Sequence, residues 1–169
     1  MLRAAIHDPD PVVVIESRAL YAAEGSVHLN APLEVVGGAR LRKPGSDVLI
    51  VSWGPMVNEA GAAAADLADV GIDAAVLDLR WLSPLDDEAL IAHAREMRRV
   101  LVVHEANLSG GFGAEVAARV AERTFGELAA PVTRLATPDV RMPAAPALQR
   151  ALLPTRSSIA LAVRKLVDA

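Results

Sequence analysis

The sequence predicts an α/β fold, a mainly parallel twisted sheet with helices on both faces. Two observations carry this prediction. Strand-length apolar runs alternate with longer stretches of helical period, the pattern of βαβ units. The core must also be built from Ala, Val and Leu, because aromatics make up only 3% of the 169 residues, and such a core suits helices packed on a buried parallel sheet. Hydrophobic residues are 53% of the chain and charged residues 22%. That is enough apolar surface for a core and too little charge for disorder.

Taken in order, Val12-Val13-Val14-Ile15 follows the turn signal Asp8-Pro9-Asp10-Pro11 and reads as a buried strand. From Ala22 to Gly45 the chain holds Gly25, Asn30, Pro32, Gly37, Gly38, Pro44 and Gly45 with no helical period. This stretch reads as a linker with one short strand, at 33–36 or at 39–41. Asp47-Val48-Leu49-Ile50-Val51-Ser52-Trp53 is a strand ended by Gly54-Pro55. A helix follows to about Val70, with Val57, Ala60, Ala64 and Leu67 on one face and Gly71 as its stop. Ala74-Ala75-Val76-Leu77-Asp78-Leu79 is the next strand, and Ser83-Pro84-Leu85-Asp86-Asp87-Glu88 opens a helix. Arg99-Val100-Leu101-Val102-Val103-His104 is a strand leading to the glycine-rich turn Gly110-Gly111-Phe112-Gly113. The helix after it turns Val116, Ala117, Val120 and Ala121 inward, with Glu115/Arg119 and Arg123/Glu127 as outward i,i+4 pairs. Val132-Thr133-Arg134-Leu135-Ala136 is a further strand. The tail from about Thr155 is an amphipathic helix through Ile159, Val163 and Leu166. Strand order is not readable from this pattern.

Composition also excludes functions. Without cysteine there is no disulfide, thiolate metal site or Cys nucleophile. A net charge of −4 and few aromatics give no footprint for nucleic acid. The longest apolar runs are strand length, far below the ~20 residues of a membrane helix, and the first residues lack a signal-peptide core. No membrane association and a cytoplasmic location are therefore expected. His7, His28 and His93 are scattered and form no metal-ligand spacing.

The clearest candidate for chemistry is Gly110, Gly111, Phe112 and Gly113. A glycine turn between a strand end and a helix start can present backbone N–H groups to a phosphate. It matches neither the dinucleotide nor the P-loop pattern, and close helix–sheet packing is the preferred reading. His104 and Glu105 precede it and could transfer protons. Adjacent strand residues point to opposite faces, however, so a buried or interface-bound polar pair is preferred. Asp78 and Arg80 share one strand face and read as a structural ion pair. Asp86, Asp87 and Glu88 sit where a helix dipole favours carboxylates. No nucleophile elbow is present. The residues alone thus assign no catalytic, cofactor-binding or metal-binding side chain. An independent α/β protein that binds a small phosphate ligand at the glycine turn stays open.

In order along the chain, the motifs resemble one family. The run from Val12-Val13-Val14-Ile15-Glu16 to Tyr21 is similar to the stretch that closes the pyrimidine-binding domain in E1 β subunits of pyruvate and branched-chain 2-oxo acid dehydrogenases. Gly45-Ser46-Asp47-Val48 and Ser52-Trp53-Gly54-Pro55-Met56-Val57 resemble the opening of their C-terminal domain. Asp78-Leu79-Arg80, Ser83-Pro84-Leu85-Asp86, His104-Glu105-Ala106, Gly110-Gly111-Phe112-Gly113-Ala114-Glu115, Pro138-Asp139-Val140 and Leu153-Pro154 follow at the family's spacing. The resemblance is specific at the level of the transketolase superfamily. Transketolase and deoxyxylulose-phosphate synthase are the alternatives within it.

The resemblance implies three parts: residues 1–21 as the end of a pyrimidine-binding domain, 22–45 as a linker with its leading strand, and 46–169 as a transketolase C-terminal-like α/β domain. It implies an oxidoreductase that uses thiamine diphosphate and magnesium bound mainly outside this chain, with no cofactor on the chain itself and no activity of the chain alone. Implied partners are an E1 α subunit, a second β subunit through homodimer contacts, and the subunit-binding domain of E2. His104, Glu105, Gly110, Gly111, Phe112 and Gly113 are candidates for an interface or ligand turn. Asp139, Val140, Arg141, Met142 and Pro143 are candidates for E2 or subunit docking. A purely non-enzymatic oligomerisation module is the alternative role.

Overall fold

The computed structural model describes residues 1–26, 28 and 30–168; residues 27 and 29 of the expected linker and 169 of the expected C-terminal domain lie outside the described residues. In chain order the elements are α1 (Leu2–His7), a 3₁₀ turn at Arg18–Leu20, β1 (Arg40–Lys43), β2 (Val48–Ser52), α2 (Met56–Ala68), β3 (Ala74–Asp78), α3 (Asp87–Met97), β4 (Val100–Asn107), α4 (Phe112–Arg123), β5 (Thr133–Thr137), α5 (Pro146–Leu152) and α6 (Arg156–Val167).

The five strands form one sheet in the order β1-β3-β2-β4-β5. β2, β3, β4 and β5 run parallel, while β1 pairs antiparallel with β3 at the edge. β2 lies second in chain order and central in space, and all five of its residues are buried. A near-continuous apolar run is what a strand covered on both faces requires.

Alternation along the strands sorts the core into two layers. Val48, Ile50, Val76, Leu101 and Val103 face Leu67 of α2 and Ile159 and Val163 of α6. Leu49, Val51, Leu77 and Val102 face Leu90 of α3 and Val116 and Val120 of α4. Each such side chain removed from water contributes ~1.5–3 kcal/mol, so these two layers dominate the stability of the fold.

Helix ends follow local chemistry. Asp86 caps α3 by accepting from Ala89 N at 3.0 Å, and its second oxygen accepts from Ala39 N at 2.9 Å. α6 opens on a capping box, in which the Thr155 hydroxyl accepts from Ser158 N and the Ser158 hydroxyl from Thr155 N. Each pairing satisfies an N–H that the first helical turn leaves without a partner.

Several expectations are corrected. Val12-Val13-Val14-Ile15 forms no strand; it has no regular structure, with Val13 and Ile15 both 86% exposed. An apolar run becomes a strand only beside another strand, and among the described residues none pairs with it. Of the two sites expected for the linker strand, 33–36 is irregular and the strand forms at Arg40–Lys43. The short helices Leu2–His7 and Pro146–Leu152 were not foreseen. The expected Arg123/Glu127 pair does not form, because Glu127 lies past the end of α4 and binds Arg95 at 2.9 Å, while Arg123 turns to Asp87 at 3.2 Å.

Candidate functional site at the carboxyl end of the sheet

In the parallel sheet the chain leaves β2 toward β3 on one side and returns through β4 on the other, so the carboxyl ends of β2 and β4 flank the switch point. Ligands of open α/β sheets gather there. The residues at that point are Trp53 after β2, His104 and Glu105 in β4, and the turn Gly110 to Gly113 that starts α4.

His104 is 1% exposed. Its imidazole lies flat on the indole of Trp53, with ring centroids 5.4 Å apart and planes 8° from parallel, and Phe112 meets Trp53 edge-on at 5.8 Å. The glycine turn approaches the Cδ2, Nε2 and Cε1 atoms of the imidazole. A Cβ added at Gly113 would fall 2.1 Å from His104 Cδ2, and one added at Gly111 would fall 2.7 Å from Cε1 and 2.3 Å from Asn107 O. Gly113 therefore leaves room for the histidine ring, and Gly111 for the ring and the Asn107 carbonyl together. Gly110, with φ of +73°, turns the chain back into the helix.

The space in front of the first turn of α4 is filled by the ring of His104, and Ala114 N already donates to Gly111 O at 2.9 Å. The turn is a packing joint between helix and sheet. Neither ring nitrogen of His104 has a hydrogen-bond partner among the described residues. Burial, with the charge of Arg134 as the lesser cause, holds the imidazole below its ordinary pKa, so the ring is held neutral. Burial pushes the neighbouring Glu105 carboxyl above the usual range.

The loop beyond β4 is tied to β5 and the segment after it. Leu108 N donates to Thr137 O at 2.8 Å, Arg134 Nη1 donates to Leu108 O at 2.7 Å, and Thr137 Oγ1 donates to Glu105 O at 2.6 Å. Asp139 accepts from Ser109 N at 2.9 Å and from Ser109 Oγ at 2.6 Å. These two hydrogen bonds from Ser109 hold its carboxyl below the usual range, with Arg134 adding a smaller effect. Val140, Arg141 and Met142 follow on the surface, and Val140 and Met142 are 49% and 44% exposed. Pro143 accepts from Gln149 of α5 at 2.8 Å.

Asp78 and Arg80 do not form the side-chain ion pair that their spacing suggests. The backbone N–H of Arg80 donates to Asp78 Oδ1 at 3.2 Å, and the guanidinium of Arg80 turns away to Glu34. Arg42 lies 3.9 Å from Asp78, yet burial is the stronger influence and pushes that carboxyl upward. Asp87 is bound by Arg119 and Arg123, so it and Asp86 serve the fold. Sequence reasoning missed Trp53 and Arg134 as neighbours of His104. The signal for Trp53 was its rarity, one of two tryptophans in the chain.

Among the described residues no group of three or more His, Asp or Glu side chains could hold a metal ion.

Comparison with known proteins agrees with this architecture. The family model for the transketolase C-terminal domain matches residues 37–159. The β subunit of the acetoin:2,6-dichlorophenolindophenol oxidoreductase of Cupriavidus necator is 38% identical over 98% of this chain and 49% of its own length. The mitochondrial pyruvate dehydrogenase E1 subunit β-1 of Arabidopsis thaliana is 39% identical over 98% of this chain and 47% of its own length. The chain therefore spans about half the length of these curated relatives. Among solved structures, a split-gene transketolase described as an inactive β4 tetramer superimposes with a TM-score of 0.71 at 31% identity, covering 86% of this chain and 46% of its own. The chain belongs to the transketolase C-terminal domain family.

Proposed function

We propose that this chain is the C-terminal assembly and docking domain of the β subunit of a thiamine-diphosphate-dependent 2-oxo acid dehydrogenase, the E1 component that decarboxylates a 2-oxo acid and passes the acyl group to lipoyl-E2. The observation that carries this reading is the alignment of 98% of this chain with about half of the acetoin and pyruvate β subunits, which extends through the N-terminal residues that the family model leaves out. In this reading residues 1–21 are the end of a pyrimidine-binding domain, 22–45 the linker, and 46–169 the C-terminal domain. Thiamine diphosphate and magnesium are held elsewhere in the complete enzyme. The cofactor supplies the electron sink of the decarboxylation; the residues of this chain position and assemble.

The partners are an E1 α subunit, a second β subunit and the E2 subunit-binding domain. The run Asp139, Val140, Arg141, Met142 and Pro143, exposed over its first four residues and anchored at one end by Ser109, suits docking because apolar side chains on a fixed backbone lose little freedom on binding. The turn of His104, Glu105, Gly110, Gly111, Phe112 and Gly113 supports that surface from within and is assigned no ligand. No helix is long and apolar enough to cross a membrane among the described residues. A cytoplasmic location remains part of the proposal, to be checked by fractionation.

The test is a decarboxylation assay on the β polypeptide carrying this chain, reconstituted with its α partner. Pyruvate, branched-chain 2-oxo acids and acetoin serve as substrates. Turnover of one of them supports the reading, and a correctly assembled complex inert toward all of them overturns it. The 169-residue chain alone is expected to be inert with added cofactor. Replacing Val140 and Met142 by Asp in the β subunit should weaken E2 binding at least tenfold; unchanged binding removes the docking assignment.

A second reading is favoured by the solved relative described as an inactive β4 tetramer: copies of this chain associate without catalysis. Sedimentation velocity over a concentration series distinguishes a self-associating chain from a monomer.

A further inference from the structure

We propose that His104 is an acid-sensitive latch at the carboxyl end of the sheet: when its ring takes up a proton it leaves the slot between Trp53 and the glycine turn, and the first turn of α4 comes loose with it.

The inference rests on how the slot is built. The ring is stacked on the Trp53 indole, and Gly113 and Gly111 crowd its Cδ2, Nε2 and Cε1 atoms so closely that an added Cβ would fall 2.1 Å and 2.7 Å from them. Neither nitrogen has a hydrogen-bond acceptor among the described residues, so an imidazolium there has nothing to donate to. Burying an unpaired charge costs far more than burying the neutral ring.

The groups around the slot oppose protonation or are indifferent to it. From β5, Arg134 places a positive charge near the ring. From α4, the positive end of the helix dipole faces it, and the first charged side chain on that helix, Glu115, is already bound by Arg119 at 2.7 Å. From β2 comes only the uncharged indole, whose face attracts cations weakly. On the histidine's own strand Glu105 is the adjacent residue, yet the charge that acts on the ring is that of Arg134. No carboxylate is placed to neutralise the ring, so protonation is relieved by moving the ring into water.

The direction of the effect follows. The closed form binds its proton more weakly than an imidazole in water, whose ordinary value is 6.5. The latch is therefore shut above that pH. Below it, each further unit raises the ratio of open to closed form by up to about tenfold, until the closed form itself titrates.

Trp53, Gly111 and Gly113 are the parts that sense the opening. The experiment follows the isotope-labelled full chain by NMR from about pH 8 to about pH 5, the range in which imidazoles titrate. It reads the ring resonances of His104, the indole N–H of Trp53, and the amides of Gly111 and Gly113. The expected result is a His104 transition below the ordinary imidazole value of 6.5, with the Trp53 and glycine signals moving at the same midpoint and the far-UV circular dichroism unchanged. His104→Gln should abolish the shared transition, and the wild-type measurement stands by itself if that variant does not fold. The proposal is overturned if His104 titrates at or above the ordinary imidazole value of 6.5. It is equally overturned if the ring titrates while Gly111 and Gly113 stay still, if His104 never titrates before global unfolding, or if the Trp53 transition persists in His104→Gln.

Discussion

Arg119 of α4 reaches Asp87 at the first turn of α3 at 2.8 Å, and Arg123 joins the same carboxylate oxygen at 3.2 Å. Two helices on one face of the sheet are thus tied at their outer edge by one acceptor serving two guanidinium groups. Asp87→Ala frees both arginines, although Arg119 keeps Glu115 at 2.7 Å. The expected effect is modest, up to about fivefold in the folding equilibrium constant, and smaller in high salt. Urea denaturation at low and high ionic strength checks it. An equal loss in both buffers would show that something other than charge was removed.

Gly113→Ala drives a methyl group into the imidazole of His104, 2.1 Å from Cδ2. Overpacking a filled site costs about 1–3 kcal/mol, and here the obstacle is a rigid ring. Combining it with His104→Ala should cost less than the sum of the two single changes, because each relieves the other. Thermal denaturation of the four-member cycle measures the coupling; simple additivity would mean that the two positions do not share the space described.

Arg156, at the start of α6, clasps Asp66 of α2 through two nitrogens, and its backbone N–H donates to Glu59 at 2.7 Å. The hydrogen bonds from Arg156 hold the Asp66 carboxyl below its ordinary 3.8. A lowered folded-state value means that this contribution to stability is present above the ordinary value and fades as pH falls through the folded one. Arg156→Gln should return the Asp66 titration to the ordinary range and flatten the acid limb of the stability curve. A carboxyl titration by NMR, unchanged between wild type and variant, is the contrary result.

Thr155→Ala removes the side chain that accepts from Ser158 N and leaves the first turn of α6 uncapped. The loss expected is about 1 kcal/mol. Thr155→Ser should retain most of the stability because it keeps the hydroxyl. Hydrogen exchange at the first amides of α6 would show the fraying directly, and unchanged protection in Thr155→Ala would exclude it.

Much of the fold was legible in the sequence because periodicity reports burial. Runs such as Val48 to Val51 and Val100 to Val103 are apolar on both faces, which only a covered strand tolerates, and the stop after α2 and the start of α3 carried their usual signals. Val12 to Ile15 shows the limit: the same apolar signal appears whether or not a neighbouring strand exists to pair with. The edge strand β1, written Arg-Leu-Arg-Lys, was obscured for the opposite reason, since its exposed residues carry little apolar signal. At the candidate site the order of His104, Glu105 and the glycines was visible, but their relation was not. The stacking of His104 on Trp53 joins residues fifty-one positions apart, a fact of strand order that no local pattern contains. Likewise Arg80 found Glu34 rather than Asp78 because the linker folds back across the end of β3.

The missing side chain at 113 imposes an order on sequence drift at this corner of the molecule. With a histidine at 104, any larger residue at 113 meets the ring, so a first step there is costly. A lineage that first shrinks position 104 releases position 113 to vary, while position 111 stays held by Asn107 O, which a Cβ there would meet at 2.3 Å. The route back then closes, because the ring cannot return until the Cβ at 113 is gone.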